Sequence, residues 1–351
     1  MKRIGILTFH RAHNYGAVLQ CYALQQILMQ LGYDARVIDY RQKFTERIYK
    51  LFSLRYFFSM YLHPKKAFSY IVNIRKRYRK NKVFTSFIDR YFNVTEVCTK
   101  NIPQDFDIYL IGSDQVWGIH CTNGVEPVYF GSFFRLSESK LFSYAISTNI
   151  ASLEAVGDEK IMKYASSFCE ISFREEAICR KFESMTGIKG RVDIDPTLLT
   201  SPSTWDSLID SKWEKERYIL IYQVRYPHGK NVLMEKAEIL ARTLKCKIID
   251  LSSMTYSPED FVSLFKYALY VVTTSFHATV FSIIFERPLY AIKLNDGHDG
   301  RYENILRAVG GENMLVEKDF NPIVQNIDYK SIKNRLDLLK DSSISYLKTL
   351  G

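Results

Sequence analysis

Residues 3–40, RIGILTFHRAHNYGAVLQCYALQQILMQLGYDARVIDY, carry the clearest structural signal in the chain. Arg3 to Phe9 is a short apolar run ending in a polar loop, His10 to Gly16, and such a run reads as a buried strand. From Ala17 to Leu31 the side chains of Val18, Leu19, Tyr22, Leu24, Ile27, Leu28 and Leu31 recur at helical spacing, and Gly32 stops the helix. Ala35 to Tyr40 supplies a second strand. Strand, loop, helix and strand in this order open a doubly wound parallel sheet.

The same alternation continues outward. Tyr109–Gly112, Leu141–Ile146, Glu170–Phe173 and Val192–Ile194 are predicted strands, with helices over Glu154–Phe168 and Arg174–Thr186. Thr200-Ser-Pro-Ser-Thr204 reads as a linker, and a second series follows it. There, strands at Tyr218–Gln223, Lys247–Leu251, Tyr270–Thr273 and Leu289–Ile292 alternate with helices at Val232–Leu244, Pro258–Tyr267 and Ala278–Phe285. Lys330–Leu350 adds a last helix. A chain of 351 residues exceeds what one core usually serves. The expectation is therefore α/β: Rossmann-like domains at 1–200 and 201–330, a cleft between them, and a closing helix at 331–351.

Composition narrows the class. With 47% hydrophobic and 25% charged residues the chain has the make-up of a soluble globular protein. Its six cysteines form no CxxC pair and no cluster with metal-ligand spacing, so no metal site is expected and the thiols suit a reducing cytoplasm. No apolar run approaches a membrane span, and a strand begins at once where a secretion leader would stand. The net charge of +10 is concentrated between residues 41 and 90, where fourteen Lys and Arg face only Glu46 and Asp89. Phe44–Phe92 interleaves these bases with Tyr and Phe and reads as a helical insertion on the Rossmann plan. Such a face suits an anionic membrane surface; a solvated helical face with an aromatic core side is the competing reading. Nucleic acid is not expected, because no recognised binding motif accompanies the charge.

Parallel sheets of this kind bind ligands beyond the carboxyl ends of their strands, which singles out a few loops. Asn14-Tyr15-Gly16-Ala17 follows the first strand: Gly16 admits close backbone approach to an acceptor, or Asn14 simply caps the helix. Gly112-Ser113-Asp114-Gln115-Val116-Trp117 follows the third. Here Asp114 can take a proton, Gln115 can bind a hydroxyl and Trp117 can stack on a sugar, the competing reading being a helix cap. Arg174 in Ser172-Phe173-Arg174-Glu175 is a candidate anion clamp, with a surface ion pair to Glu175 or Glu176 as the alternative. Thr273-Thr274-Ser275-Phe276-His277-Ala278-Thr279 opens a helix with hydroxyls and a titratable imidazole. Lys293, His298 and Arg301, around the loop after the last core strand, and Arg225, just past Tyr218–Gln223, are further cation or acid candidates.

Taken in order, these segments resemble the polysaccharide pyruvyltransferase family. The resemblance rests on Asn14-Tyr15-Gly16-Ala17, Gly112 to Trp117, Ser172 to Glu175, Asp195-Pro196-Thr197, Ser275-Phe276-His277 followed by Phe281-Ser282-Ile283-Ile284, and Arg301 to Leu306. It covers most of the chain apart from Phe44–Phe92. It implies a glycosyltransferase-B-like fold and transfer of an enolpyruvyl unit from phosphoenolpyruvate to two sugar hydroxyls, with phosphate as by-product and no cofactor. By position it makes Arg174 a ligand of the donor's anionic end and puts His277 at the reacting carbons; as a strand-end carboxylate, Asp114 is then the expected base for the attacking hydroxyl. The chain departs from the family where an arginine is usual two residues before this histidine and Ser275 stands instead; Arg301, then Arg225 or Lys293, would supply the missing charge. The acceptor is expected to be a glycan, lipid-linked and met at the inner face of the membrane. Two other classes fit the same architecture: a metal-independent glycosyltransferase using a nucleotide sugar, and a non-catalytic carbohydrate-binding or assembly protein.

Overall fold

The computed structural model describes residues 1–49, 64–135, 138–224, 232–297 and 299–351, with 64–73 described by their backbone alone. The chain divides into two units: Met1–Leu199 with Ser343–Gly351, and Thr200–Ser342. Each is a parallel sheet with helices, so the expectation of two Rossmann-like α/β halves holds.

The first sheet contains β1 (Arg3–Leu7), β2 (Asp34–Val37), β3 (Ile108–Asp114), β4 (Lys140–Ile146), β5 (Ser172–Phe173) and β6 (Arg191–Val192) in the order β2-β1-β3-β4-β5-β6. Every neighbouring pair is parallel. All of β3 but its last residue and all of β4 but its first are buried, as strands covered on both faces must be. Because β2 lies on one side of β1 and every later strand on the other, the winding reverses between β1 and β3. The loops after those two strands therefore flank the place where an open parallel sheet takes a ligand.

Among the described residues up to Leu199, this unit's α-helices are α1 (Tyr15–Gln30), α2 (Lys43–Tyr49), α3 (Pro64–Tyr91), α4 (Ile119–Thr122), α5 (Ile150–Val156), α6 (Asp158–Ala165), α7 (Glu176–Thr186) and α8 (Pro196–Leu199). The helix expected over 154–168 is instead the pair α5 and α6, parted at Gly157 with φ +87°, a conformation other residues avoid. The basic insertion is helical where it is described. At the end of α3, Phe84, Phe87 and Ile88 are buried; Phe84 lies 5.2 Å from the Tyr15 ring and Phe87 6.0 Å from Tyr22, both on α1. Arg75, Lys76, Arg79 and Lys82 remain exposed. On this segment the aromatic side serves the core and the basic side meets solvent.

In the second unit, α9 (Pro202–Asp206) takes up most of the expected linker. It is followed by β7 (Tyr218–Tyr222), α10 (Val232–Leu244), β8 (Lys247–Asp250), α11 (Pro258–Tyr267), β9 (Tyr270–Thr273), α12 (Phe276–Ile284), β10 (Leu289–Ile292), α13 (Gly300–Val309), β11 (Leu315–Val316) and α14 (Tyr329–Thr349). The all-parallel order β11-β10-β9-β7-β8 reverses between β7 and β9. Ser257 and Asp260 form a reciprocal capping box at the start of α11, with Pro258 inside the first turn, which is why that boundary is readable in the sequence.

The last nine residues return to the first unit. The Tyr346 hydroxyl donates to the Ser143 carbonyl at 2.8 Å, and the Arg191 guanidinium sits 4.1 Å from the centre of the Tyr346 ring, within cation–π range. Among the described residues no helix is long and apolar enough to cross a membrane.

Candidate active site

The first switch point is built from side chains that tie strand ends together. Thr8 Oγ1, just past β1, donates to the Ser113 carbonyl at 2.8 Å and accepts from Gln20 Nε2 at 3.1 Å. His10 is buried between the Thr8 carbonyl (3.3 Å) and Asp39 (3.1 Å), and Asp39 also takes Arg41 at 3.0 Å. Burial alone would raise the Asp39 pKa; hydrogen bonds from His10 and Arg41, with the Arg11 charge nearby, hold it below the usual carboxylate range. Asn14 caps α1, its Oδ1 accepting the N–H groups of Gly16 at 2.9 Å and Ala17 at 3.4 Å. The Asn14 side-chain oxygen thus serves the helix, and the Tyr15 ring is buried against Phe84.

At the end of β3 only glycine fits position 112: φ is +113°, and a Cβ there would meet the Tyr144 carbonyl oxygen at 2.3 Å. Asp114 also has positive φ, +74°, a conformation that surrounding bonds must hold. They do. Its carbonyl accepts Val116 and Ser147 N–H, both at 2.9 Å, and its Oδ1 accepts Gln115 N–H at 2.8 Å. Asp114 itself is half-buried. Gln115 Oε1 accepts from His120 Nε2 at 3.0 Å.

Two expectations change here. Trp117 is 1% exposed, stacked on Phe130 at 4.7 Å, and its Nε1 donates to the Tyr129 carbonyl at 2.8 Å. Enclosed by Phe168, Phe173 and Phe182 as well, its ring is part of the core and offers no face to a sugar. Arg174 is buried in a carboxylate network, 2.7 Å from Asp195 and 3.2 Å from Glu175. Burial works against its charge, but Glu175, Asp195 and Asp114 together keep its pKa above the ordinary arginine value. Three carboxylates around one guanidinium would repel a highly charged donor, so Arg174 reads as a framework cation rather than a clamp.

The residues that complete this network were not singled out as site residues from the sequence. Glu175 accepts the Ser147 hydroxyl at 2.8 Å, and Asp195 Oδ1 accepts both the Thr197 hydroxyl (2.6 Å) and its N–H (3.0 Å). One signal was present: Asp39, Asp114, Glu175 and Asp195 each lie at or within three residues of a strand's carboxyl end.

The second switch point is made of hydroxyls. The Tyr222 carbonyl, ending β7, accepts Thr273 Oγ1 at 2.7 Å, and Thr273 Oγ1 in turn accepts Ser275 N–H at 3.0 Å. Thr279 Oγ1 donates back to the Ser275 carbonyl at 3.1 Å. These bonds lock the loop that enters α12. Ser275 occupies the N-cap, yet its hydroxyl makes no capping bond to the first turn. His277 follows as the second helical residue, half-buried, with its ring edge-on to Phe276 at 5.0 Å. Helix α13 packs on α12 and carries Arg301 in its first turn. Just before it, buried Asp299 accepts Asn295 N–H at 2.6 Å and the Tyr302 hydroxyl, anchoring that turn. Lys293 is engaged by Glu317 at 2.9 Å, and that contact raises its pKa. Arg225 and His298 lie outside the described residues.

The candidate residues therefore fall into two groups. Asn14, Tyr15, Gly16, Asp114, Gln115, Trp117 and Arg174 belong to the first unit, and Ser275, His277, Lys293 and Arg301 to the second. Solved structures similar to the chain include UDP-N-acetylglucosamine 2-epimerase from Rickettsia bellii, 9% identical, with a TM-score of 0.46 and coverage of 97% of this chain and 88% of that one. The spinosyn forosaminyltransferase is 12% identical, with a TM-score of 0.40 and coverage of 99% and 94%. An E. coli heptosyltransferase with ADP is 12% identical, with a TM-score of 0.36 and coverage of 96% and 99%. Comparison with curated protein sequences found no significant match. A family profile, by contrast, matches residues 14–296, taking in both switch points, and the chain accordingly belongs to the polysaccharide pyruvyl transferase family.

Proposed function

We propose that the protein transfers the enolpyruvyl group of phosphoenolpyruvate to two hydroxyls of one sugar in a lipid-linked polysaccharide repeat unit, closing a cyclic ketal and releasing phosphate. Family membership supports pyruvyl transfer to a glycan; the donor, the ketal and the lipid carrier belong to the proposal. The observation that carries it is the Ser275-Phe276-His277 turn, fixed at the second switch point on the N-terminus of a nine-residue helix. A helix N-terminus favours anions, and a small, highly charged donor needs such a seat. Arg301, in the first turn of the adjoining α13, supplies the guanidinium that the loop itself lacks at Ser275.

In this reading His277 protonates the donor's methylene carbon, which becomes the methyl group, and the neighbouring carbon becomes an oxocarbenium-like electrophile. One sugar hydroxyl adds to that carbon and gives up its proton, with Asp114 as base. The C–O bond to phosphate then breaks, a second hydroxyl closes the ring, and its proton leaves with the phosphate. The methyl proton thus comes from His277, the first hydroxyl's proton goes to Asp114 and the second's to the phosphate, and exchange with solvent returns one proton from Asp114 to His277.

The test is phosphate release from phosphoenolpyruvate with a panel of lipid-linked and free glycosides. Wild type should release phosphate with a matching acceptor. His277→Ala should lower kcat by about 10²- to 10⁴-fold, the usual contribution of a positioned acid, with the unfolding midpoint unchanged. Absence of phosphate release with every acceptor, or release of a nucleoside diphosphate from a sugar nucleotide instead, would sink the proposal.

A further inference from the structure

The solvent face of α3 is a charged feature that the proposed chemistry leaves unused. Phe84 and Phe87 pack on Tyr15 and Tyr22 of α1, and Ile88 is buried as well, so the apolar stripe of this helix is spent inside the unit. The opposite face carries Arg75, Lys76, Arg79 and Lys82, all exposed. At 3.6 residues per turn, Arg75, Arg79 and Lys82 fall within about 60° of helix arc, on the side away from Phe84. None of the four has an ion pair among the described residues. Tyr78 stands among them, 57% exposed and with no ring contact among the described residues. The acid of this face is Asp89, about two turns beyond Lys82 and next to Arg90. The neighbouring α2, held to α3 by a bond from Arg77 to the Ile48 carbonyl at 2.9 Å, exposes Lys43, Arg47 and Ile48.

We infer that this face adsorbs to an anionic bilayer, with Arg75, Lys76, Arg79 and Lys82 against the lipid phosphates and Tyr78 at headgroup depth. Clustered bases on one face of an amphipathic helix are the pattern that an anionic leaflet attracts, through a field that decays within a Debye length. A tyrosine ring, apolar with a polar tip, suits the boundary between headgroups and acyl chains. A convex helix face brings these side chains to a plane together. Single-stranded nucleic acid is instead held in a charged groove with several stacking rings, and the exposed ring on the described part of this face is Tyr78 alone.

Because the aromatic side of α3 serves the core, the contact is adsorption by charge rather than insertion of an apolar face. The helix belongs to the same unit as the first switch point, and His13 of the β1–α1 loop lies 5.5 Å from Phe84. The first unit is then the one held at the lipid surface, where a lipid-linked acceptor would be met. The inference goes beyond the proposed reaction and does not depend on it, since adsorption needs no turnover.

Sedimentation of the full chain with vesicles tests it, using phosphatidylcholine alone and phosphatidylcholine with about one third phosphatidylglycerol. The chain should bind the anionic vesicles at low salt, leave them as salt rises, and ignore the neutral ones. Arg75→Glu combined with Arg79→Glu should weaken binding by about a hundredfold or more, at roughly fivefold per unit of charge. Should that variant fail to fold, Arg75→Gln combined with Lys82→Gln should still cost about tenfold or more. Tyr78→Ala should weaken binding while leaving its salt dependence unchanged, because an apolar contribution is not screened. The control is Lys160→Glu combined with Lys163→Glu, an equal change of charge at exposed positions of α6. Its loss should stay within about threefold. Absence of binding at low salt, equal binding to neutral vesicles, or an equal loss in the α6 control would overturn the inference, the last by showing attraction to net charge only. So would single-stranded RNA that displaces the vesicles and loses affinity in the Arg75 and Arg79 variant, which would give the face to nucleic acid. Vesicle binding without phosphate release from any acceptor leaves the surface standing and fails the reaction; phosphate release without vesicle binding does the reverse.

Discussion

The two switch points obey one topological rule but spend their polar groups differently. In the first unit Asn14 caps α1 with its own side chain, and the carboxylates of Asp39, Glu175 and Asp195 are taken up by His10, Arg41 and Arg174. In the second unit the Thr273 hydroxyl ties β9 to β7, while Ser275 leaves the α12 N-terminus without a side-chain cap. A helix end already satisfied by its own chain has little left for a ligand, whereas an uncapped one presents partial positive charge. The comparison separates residues that hold a site from residues that meet substrate, a distinction that residue type alone does not make.

The largest effect expected from this contrast is at Arg174. Arg174→Met should lower stability by about 3–5 kcal/mol, because it strands the buried carboxylates of Glu175 and Asp195 in place of a compensated set. Urea unfolding measures it directly. A variant that keeps the wild-type midpoint while its KM for phosphoenolpyruvate rises would restore Arg174 to the donor site and erase the contrast.

Trp117→Phe comes next. It shortens a ring packed among Phe130, Phe168 and Phe173 and leaves the Tyr129 carbonyl without its donor, so a loss of about 1–3 kcal/mol is expected. The KM for acceptor should not change among molecules that remain folded. A raised KM at unchanged stability would mean that the indole meets sugar after all.

Periodicity is local to a segment, whereas the partners of Trp117 and Arg174 lie far along the chain. Strands and helices were legible because the parallel strands are apolar along most of their length, and α10 and α11 match their expected bounds. A two-residue strand such as β11 carries too little pattern to be seen, and Gly157 splits what periodicity joins. At the candidate site the loops were found, because strand ends mark them, but not the roles within them. A tryptophan beside polar residues looks the same in sequence whether Phe130 or a sugar covers its face. Arg174 looks like an anion clamp until Asp195, twenty-one positions later, is seen to bond it.

The smallest effect is the one that tests the comparison most directly. Asn14→Ala removes a working N-cap and should cost about 0.5–2 kcal/mol in unfolding free energy, with kcat and both KM values near wild type. Ser275→Ala removes a hydroxyl that caps nothing, so stability should be unchanged while the KM for donor rises. The two substitutions are chemically alike, each trading a small polar side chain for a methyl group at a helix N-cap, so a generic cap effect would move both midpoints together. Opposite outcomes, stability lost at Asn14 and donor affinity lost at Ser275, follow only if one helix end is closed by the protein and the other is kept for a ligand. Loss of stability at both positions would show that the second switch point is capped like the first, and the anion seat assigned to α12 would have to be sought elsewhere in that unit.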